Sequence, residues 1–186
     1  MNEHQYLVDN NVLAALSREQ RASAFFRTHC HIPDEVLYEA RGFPDIAELS
    51  ARRYETTEGV LRQLITVMKT VPVTDTDLVD LYANRGNADP LIVACALDAT
   101  WQNEDKLFGP TWAVVSDDKA VRAKATEFEI ELRTGAEFAA ILDARRRIAH
   151  LPLLHAAPAA GRVTGDCGAG TASAGEPRAQ RPMTHR

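Results

Sequence analysis

Cysteine, aromatic side chains and long apolar runs are all scarce in this chain, and each scarcity removes a class of protein. The three cysteines, Cys30, Cys95 and Cys167, are odd in number and far apart, with no C-x-x-C pair. That excludes a disulfide framework and a zinc knuckle, and it fits reduced thiols in a cytoplasmic protein. The most apolar run, Leu91 to Leu97 (LIVACAL), is far short of the roughly 20 residues needed to cross a bilayer, so no membrane partner is expected. The first nine residues, MNEHQYLVD, lack the basic start and apolar stretch of a secretory signal. Basic residues are outnumbered, 21 Lys and Arg against 26 Asp and Glu, for a formal net charge of -5. This excludes a uniformly basic nucleic-acid coat and still permits local Arg patches around an acidic pocket.

What remains is the composition of one ordinary folded domain: 186 residues, 45% hydrophobic and 25% charged, enough to bury a core. The chain divides into a patterned body, residues 1–150, and a tail, residues 151–186. From Ala156 to Arg186, 8 Ala, 5 Gly and 3 Pro fill half of 31 positions, a composition expected to be disordered. The tail holds four Arg against Asp166 and Glu176, which leaves the body with 17 basic and 24 acidic residues. The tail is read as a solvated extension, the alternative being an RNA- or partner-tethering arm.

Along the body, Tyr6 to Val8 reads as a strand ending at Asp9, and Asn11 to Cys30 has helical spacing. Ile32-Pro33 opens a second helical stretch that stops at Gly42 before Pro44. Ile46 to Met68 predicts one or two helices in a hairpin, Val71 to Val73 a β-prone snippet, and Asp77 to Tyr82 a short helix. Asp89-Pro90 looks like an N-cap with Pro at the first helical position, opening a helix apolar nearly all round and therefore buried. Thr111 to Ser116 (TWAVVS) is a strand, Lys119 to Phe128 a helix, Ile130 to Leu132 a strand, and Gly135 to Ile148 a helix. Strands alternating with helices predict an α/β fold, a mainly parallel sheet flanked by helices in three layers.

In such a sheet the carboxyl ends of the strands share one edge, where residues converge on a crevice. Asp9 and the Asp117-Asp118 pair stand at strand ends, while Asp89 and Glu39 lie on helices that can point to the same edge. Four carboxylates brought together raise one another's pKa, and the remedy is a hard divalent cation with oxygen ligands, Mg²⁺ or Mn²⁺. Taken singly, Asp9, Asp89 and Asp118 have a plainer role, since each precedes a helix and Asp is a favoured N-cap. Glu39, beside Arg41, has the plainer role of a solvated helix position. The conjunction carries the argument.

Four segments in order resemble the PIN-domain family, metal-dependent ribonucleases that include the VapC toxins of toxin–antitoxin pairs. YLVDNNVLAAL resembles the opening strand and motif, with Asp9 as first ligand and Asn11 two residues on. IPDEVLYEARG resembles the second motif through Pro33, Val36 and Glu39. NADPLIVACALD resembles the third, with Asp89, then Ile92 and the small Ala94 and Ala96. VVSDDKAVRAKA resembles the fourth, a strand ending in Ser116, then Asp117 and the better match Asp118. The likeness spans about Tyr6 to Leu142. Asn10 departs from it, standing where a small hydroxyl residue is common.

The resemblance implies a Mg²⁺-dependent endoribonuclease, with Mn²⁺ as a substitute, that leaves 5′ phosphate and 3′ hydroxyl ends without a covalent enzyme intermediate. Asp9, Glu39, Asp89 and Asp118 would be catalytic carboxylates and metal ligands, and Asn11 a brace for Asp9. Ser116 and Asp117 would support them, and Arg41, Lys119 and Arg122 would grip RNA phosphates. A VapC-like protein would pair with a small antitoxin and could form a homodimer. Two alternatives stand beside it: a PIN-like scaffold without turnover, and a receiver-like domain, which fits poorly because the acidic pair comes late. His29-Cys30-His31 reads as structural, since neighbours at one helix end face different ways. Arg145 to Arg147 suits the last turn of a helix, with RNA contact as the alternative.

Overall fold

The computed structural model describes residues 3–79, 86, 88–103, 106 and 109–149. The tail and most of the stretch between Val79 and Ala88, including Tyr82 and Asn87, lie outside the described residues.

The short, β-rich segment His4–Val8 forms β1 and runs along the middle of a five-stranded sheet ordered β3-β2-β1-β4-β5. Its neighbours are β2 (Cys30–Pro33) and β4 (Thr111–Val115), with β3 (Arg53–Tyr54) and β5 (Glu131–Arg133) outside them. All pairings are parallel. The β1–β4 register is the longest, from His4 opposite Thr111 to Val8 opposite Val115, so Asp9 and Ser116 leave the sheet side by side.

Alternation on these strands feeds two cores. Tyr6, Val8, Ala113 and Val115 face one side, packed with Leu13, Phe26, Phe138 and Leu142 from α1 (Asn10–Ala15), α3 (Ala24–His29) and α9 (Gly135–Ala149). Leu7 and Val114 face the other, against Val60, Ile92, Val93 and Val121 from α6 (Glu58–Lys69), α7 (Asp89–Trp101) and α8 (Lys119–Glu127). Each large side chain taken fully from water contributes about 1.5–3 kcal/mol, so two faces of buried aliphatics hold the three layers together. The fold is a parallel α/β sheet with helices on both sides.

Helix α7 is buried almost throughout, as its composition requires, and its small residues Ala94, Cys95 and Ala96 let it lie close to its neighbours. It carries one buried acid, Asp98, which accepts hydrogen bonds from the Tyr54 hydroxyl (3.2 Å) and Gln102 Nε2 (2.6 Å). Helix α6 crosses at Gly59, where a Cβ would stand 2.3 Å from Asp98 Oδ1; glycine is the residue that permits this approach.

Several expectations are corrected. The helix expected over Asn11 to Cys30 is three short ones, α1, α2 (Arg18–Arg21) and α3, restarted by the N-caps Ser17 and Ser23. Ile32-Pro33 belongs to β2, because pairing with Arg53 and Tyr54 of β3 outweighs helical spacing, and α4 (Asp34–Glu39) begins only after it. The hairpin expected within Ile46 to Met68 is interrupted by β3 between α5 (Ile46–Ser50) and α6. Val71 to Val73 pairs with no strand, and Asp77 to Val79 are not helical. Asp89 lies within the first turn of α7 rather than capping it, and Ala88, at the cap position, supplies no side-chain bond.

Candidate acidic site at the strand carboxyl ends

The sheet order changes direction between β1 and β4: the chain moves from β1 to β2 and β3 on one side, and from β4 to β5 on the other. Ligands of open parallel sheets sit outside the strand ends at such a switch point, and here that point is bordered by Asp9 and Ser116.

Asp9 is 4% exposed and is held from several directions. Its backbone N–H donates to Val115 O (3.0 Å); its Oδ1 accepts from the Asn10 N–H (2.6 Å) and its Oδ2 from the Ser116 hydroxyl (2.7 Å). Burial pushes its carboxyl up, and these two donors pull it back. Ser116 is fully buried, and its Oγ also accepts the Asp118 N–H (3.1 Å), so one hydroxyl ties two acidic residues together.

Asp118 and Asp117, neighbours in sequence, separate in space. Asp118 caps α8, its Oδ1 accepting from the N–H groups of Ala120 (2.7 Å) and Val121 (3.0 Å). Asp117 is exposed and turns to the start of α9, accepting from the Gly135 N–H (2.9 Å). The plainer capping role of Asp118 is therefore real, Asp117 serves the start of another helix, and only Asp118 acts on Asp89.

Asp89 is the most perturbed of the four acids, its carboxyl pushed up to about 7 by burial first and then by the charges of Asp9, Asp118 and Glu39. Gly86, at φ +72°, lies against it: a Cβ there would be 3.0 Å from Asp89 Oδ2. Glu39, at the last position of α4, is more exposed; burial and the Asp9 charge raise its pKa, while the Asn10 amide beside it lowers it. Asn10 Oδ1 is itself buried without a partner. Asp9, Glu39 and Asp118 thus all lie within electrostatic reach of Asp89.

They do not converge on a point. Among the described residues, no three His, Cys, Asp or Glu side chains are grouped closely enough to hold a metal ion. Asp9 and Asp118 are engaged with backbone and hydroxyl donors. The donor chemistry, all carboxylate oxygen with a carboxamide oxygen at Asn10, fits a hard cation such as Mg²⁺ and not a softer transition metal.

The expected support residues divide likewise. Asn11 is exposed, a correction to its reading as a brace: the donors to the Asp9 carboxylate are the Ser116 hydroxyl and the Asn10 N–H. Arg122 Nη1 donates to Ser116 O (3.3 Å) and so borders the site. Arg41, in the 3-10 turn that follows α4, is folded back on that helix, 4.4 Å from the Tyr38 ring centroid and bonded to Tyr38 O. Lys119 is exposed and lines, with Asp118, a groove of about 570 Å³. Lys124 lines the same groove and had no sequence signal beyond its charge; it is 8% exposed, its Nζ donating to Thr70 and Glu127. His29 and His31 bond separately to His4 O and Gln5 Oε1, and Cys30 is in the core. Arg145 stacks on Phe25 and Arg146 pairs with Glu19.

No family model matches this chain, and no curated protein matches it significantly. Among the described residues, no helix is long and apolar enough to cross a membrane.

Proposed function

We propose that the protein is a metal-dependent endoribonuclease of the PIN type and the toxin of a toxin–antitoxin pair. The observation that carries this reading is the state of Asp89: a carboxyl raised to about 7 by burial and by three other carboxylates, at the switch point of a parallel sheet. Perturbed acids collected in such a place mark functional sites, and helix capping, which accounts for Asp118, accounts for neither Asp89 nor Glu39.

Asp9, Asp89, Asp118 and Glu39 would hold one or two Mg²⁺ ions. When bound, the metal would supply Lewis-acid activation of a phosphodiester and acidification of a water at neutral pH. The Ser116 hydroxyl opposes the upward push of burial on the Asp9 carboxyl and aligns it, and Asn10 lies between Asp9 and Glu39. Arg122 and Lys119 face the edge where an RNA phosphate would lie and supply its attraction. On this reading the partners are single-stranded RNA, a small antitoxin protein and a second copy of the chain, in the cytoplasm.

One observation favours a second reading. The carboxylates are spread rather than converged, as suits a binding domain of the same architecture without turnover.

The two part on one experiment: incubation of a mixed RNA pool with purified protein in Mg²⁺, Mn²⁺ or EDTA, beside an Asp9→Asn/Asp89→Asn variant shown to be folded. Cleavage that needs metal, leaves 5′ phosphates and vanishes in the variant supports the nuclease. RNA left intact in every metal supports the binding domain.

A further inference from the structure

The body is acidic overall, yet four of its arginines line one small cavity on the face of the sheet covered by α1, α3 and α9. Arg18, Arg21, Arg27 and Arg52 surround about 170 Å³, accompanied by Asp45 and Glu48. None of the four candidate carboxylates lines it.

The charges do not cancel. Arg21 is neutralised: its Nε and Nη2 donate to the two oxygens of Asp45 (2.8 and 2.9 Å), and its Nη1 donates to Leu13 O and Leu16 O. Its side chain is 9% exposed, so it forms a fixed wall. Among the described residues, Arg18, Arg27 and Arg52 have no carboxylate within salt-bridge distance, and Glu48 pairs with no cation. Arg52 is oriented by a bond from Nη1 to Arg27 O, and Phe26 and Leu49 supply an apolar floor. Three unpaired guanidiniums against one carboxylate leave a cavity with a net positive charge of two. A fold does not gain stability by gathering like charges beside an apolar floor, but an anion there would gain from every one of them.

Size and chemistry narrow the ligand. At about 170 Å³ the cavity is below the ~300–1,000 Å³ of pockets that enclose whole drug-sized ligands, a size for a small polyatomic group. Guanidinium forks match the oxygens of phosphate in paired hydrogen bonds. We propose that this cavity is a binding site for a phosphoryl group, supplied either by the backbone of a nucleic acid or by a free phosphorylated compound. The site is independent of the acidic edge and of any nuclease activity.

The test uses the full chain in EDTA and compares the rise in melting temperature with inorganic phosphate against chloride at equal ionic strength. Wild type is expected to be stabilised by phosphate in a saturable way. An Arg18→Gln/Arg27→Gln variant, whose replaced side chains are exposed and bond to no other side chain among the described residues, is expected to bind phosphate at least tenfold more weakly. A Lys69→Gln/Arg147→Gln variant, with the same loss of charge elsewhere, is expected to match wild type. If RNA competes with phosphate, the source is a backbone phosphate; phosphate binding without competition marks a free phosphoryl compound, and both support the site. An equal phosphate response in all three proteins, or none above chloride, overturns it.

Discussion

The Ser116 hydroxyl donates to Asp9 Oδ2 across 2.7 Å, and both residues are buried, Ser116 at 0% and Asp9 at 4% exposure. The bond joins the ends of β1 and β4, residues 107 apart in the chain, and the same oxygen receives the Asp118 N–H. A buried carboxylate that loses a donor keeps its desolvation cost. Ser116→Ala is therefore expected to destabilise the fold by about 1–3 kcal/mol, read as a shift in denaturation midpoint. It should also move the Asp9 carboxyl further upward, measurable by ¹³C chemical-shift titration. Ser116→Thr, which keeps the hydroxyl, should restore most of the titration shift.

Asp89 gives the protein a pH signature with a definite sign. Its carboxyl stands at about 7 in the fold against about 4 in an unfolded chain, so the folded state binds the proton more tightly between these values. Stability then falls as pH rises from about 4 to 7, and is flat above. Asp89→Asn should remove that slope and, at pH 8 without metal, stabilise the protein by about 1 kcal/mol after allowance for partial exposure, or about 2–4 °C. If the acids bind Mg²⁺, added Mg²⁺ should raise the wild-type melting temperature more at pH 8 than at pH 5, where protons compete. A metal response independent of pH would contradict the assignment of Asp89 as a ligand.

The parts of the fold written in local pattern were legible in the sequence. β1, β4, α8 and α9 came from alternation and helical spacing, and α7 from its uniform apolarity. β2 was not, because the four residues of Cys30–Pro33 become a strand only through pairing with β1 and β3, contacts of distant chain segments. β3, two residues long, has no pattern of its own. In the site, Asp9, Glu39, Asp89 and Asp118 were marked by position, and the structure places the other three within electrostatic reach of Asp89. The brace was misassigned to Asn11 because spacing cannot tell which amide turns inward. The distinction between Asp117 and Asp118 depended on which helix start each one reaches.

The Arg21–Asp45 pair is the main buried ion pair between α2 and the segment entering α5, and Arg21 holds Asp45 below the usual carboxylate range. Removing one partner strands the other charge, so Asp45→Ala is expected to cost about 3–5 kcal/mol. Because the folded-state pKa of Asp45 is depressed, its contribution is present above about pH 4 and is lost as pH falls below it. Acid unfolding of Asp45→Ala should therefore lack part of the wild-type decline, visible in circular dichroism between about pH 4 and 2.

Gly59 offers a test of the α6–α7 crossing that leaves the acidic edge alone. An added methyl would stand 2.3 Å from Asp98 Oδ1, and Asp98 is fixed by Tyr54 and Gln102. Gly59→Ala is expected to destabilise by about 1–3 kcal/mol despite the better helix propensity of alanine. Combining it with Asp98→Ala should recover part of the loss. A gain in stability from Gly59→Ala alone would mean that the helices do not approach this closely.

The last prediction separates capping from chemistry in the acidic pair. Asp117 serves the start of α9 and Asp118 the start of α8, so each alanine variant should cost about 1 kcal/mol as a lost cap. Stability alone cannot distinguish them. Asparagine at 118 keeps an oxygen to accept from Ala120 and Val121 and removes the charge that acts on Asp89. Asp118→Asn is therefore expected to fold like wild type, to lower the Asp89 pKa and to weaken Mg²⁺ binding and RNA cleavage tenfold or more. Asp117→Asn should leave all three unchanged. If the two asparagine variants behave alike in Mg²⁺ titration, the fourth carboxylate is not Asp118, and the doublet serves the helices alone.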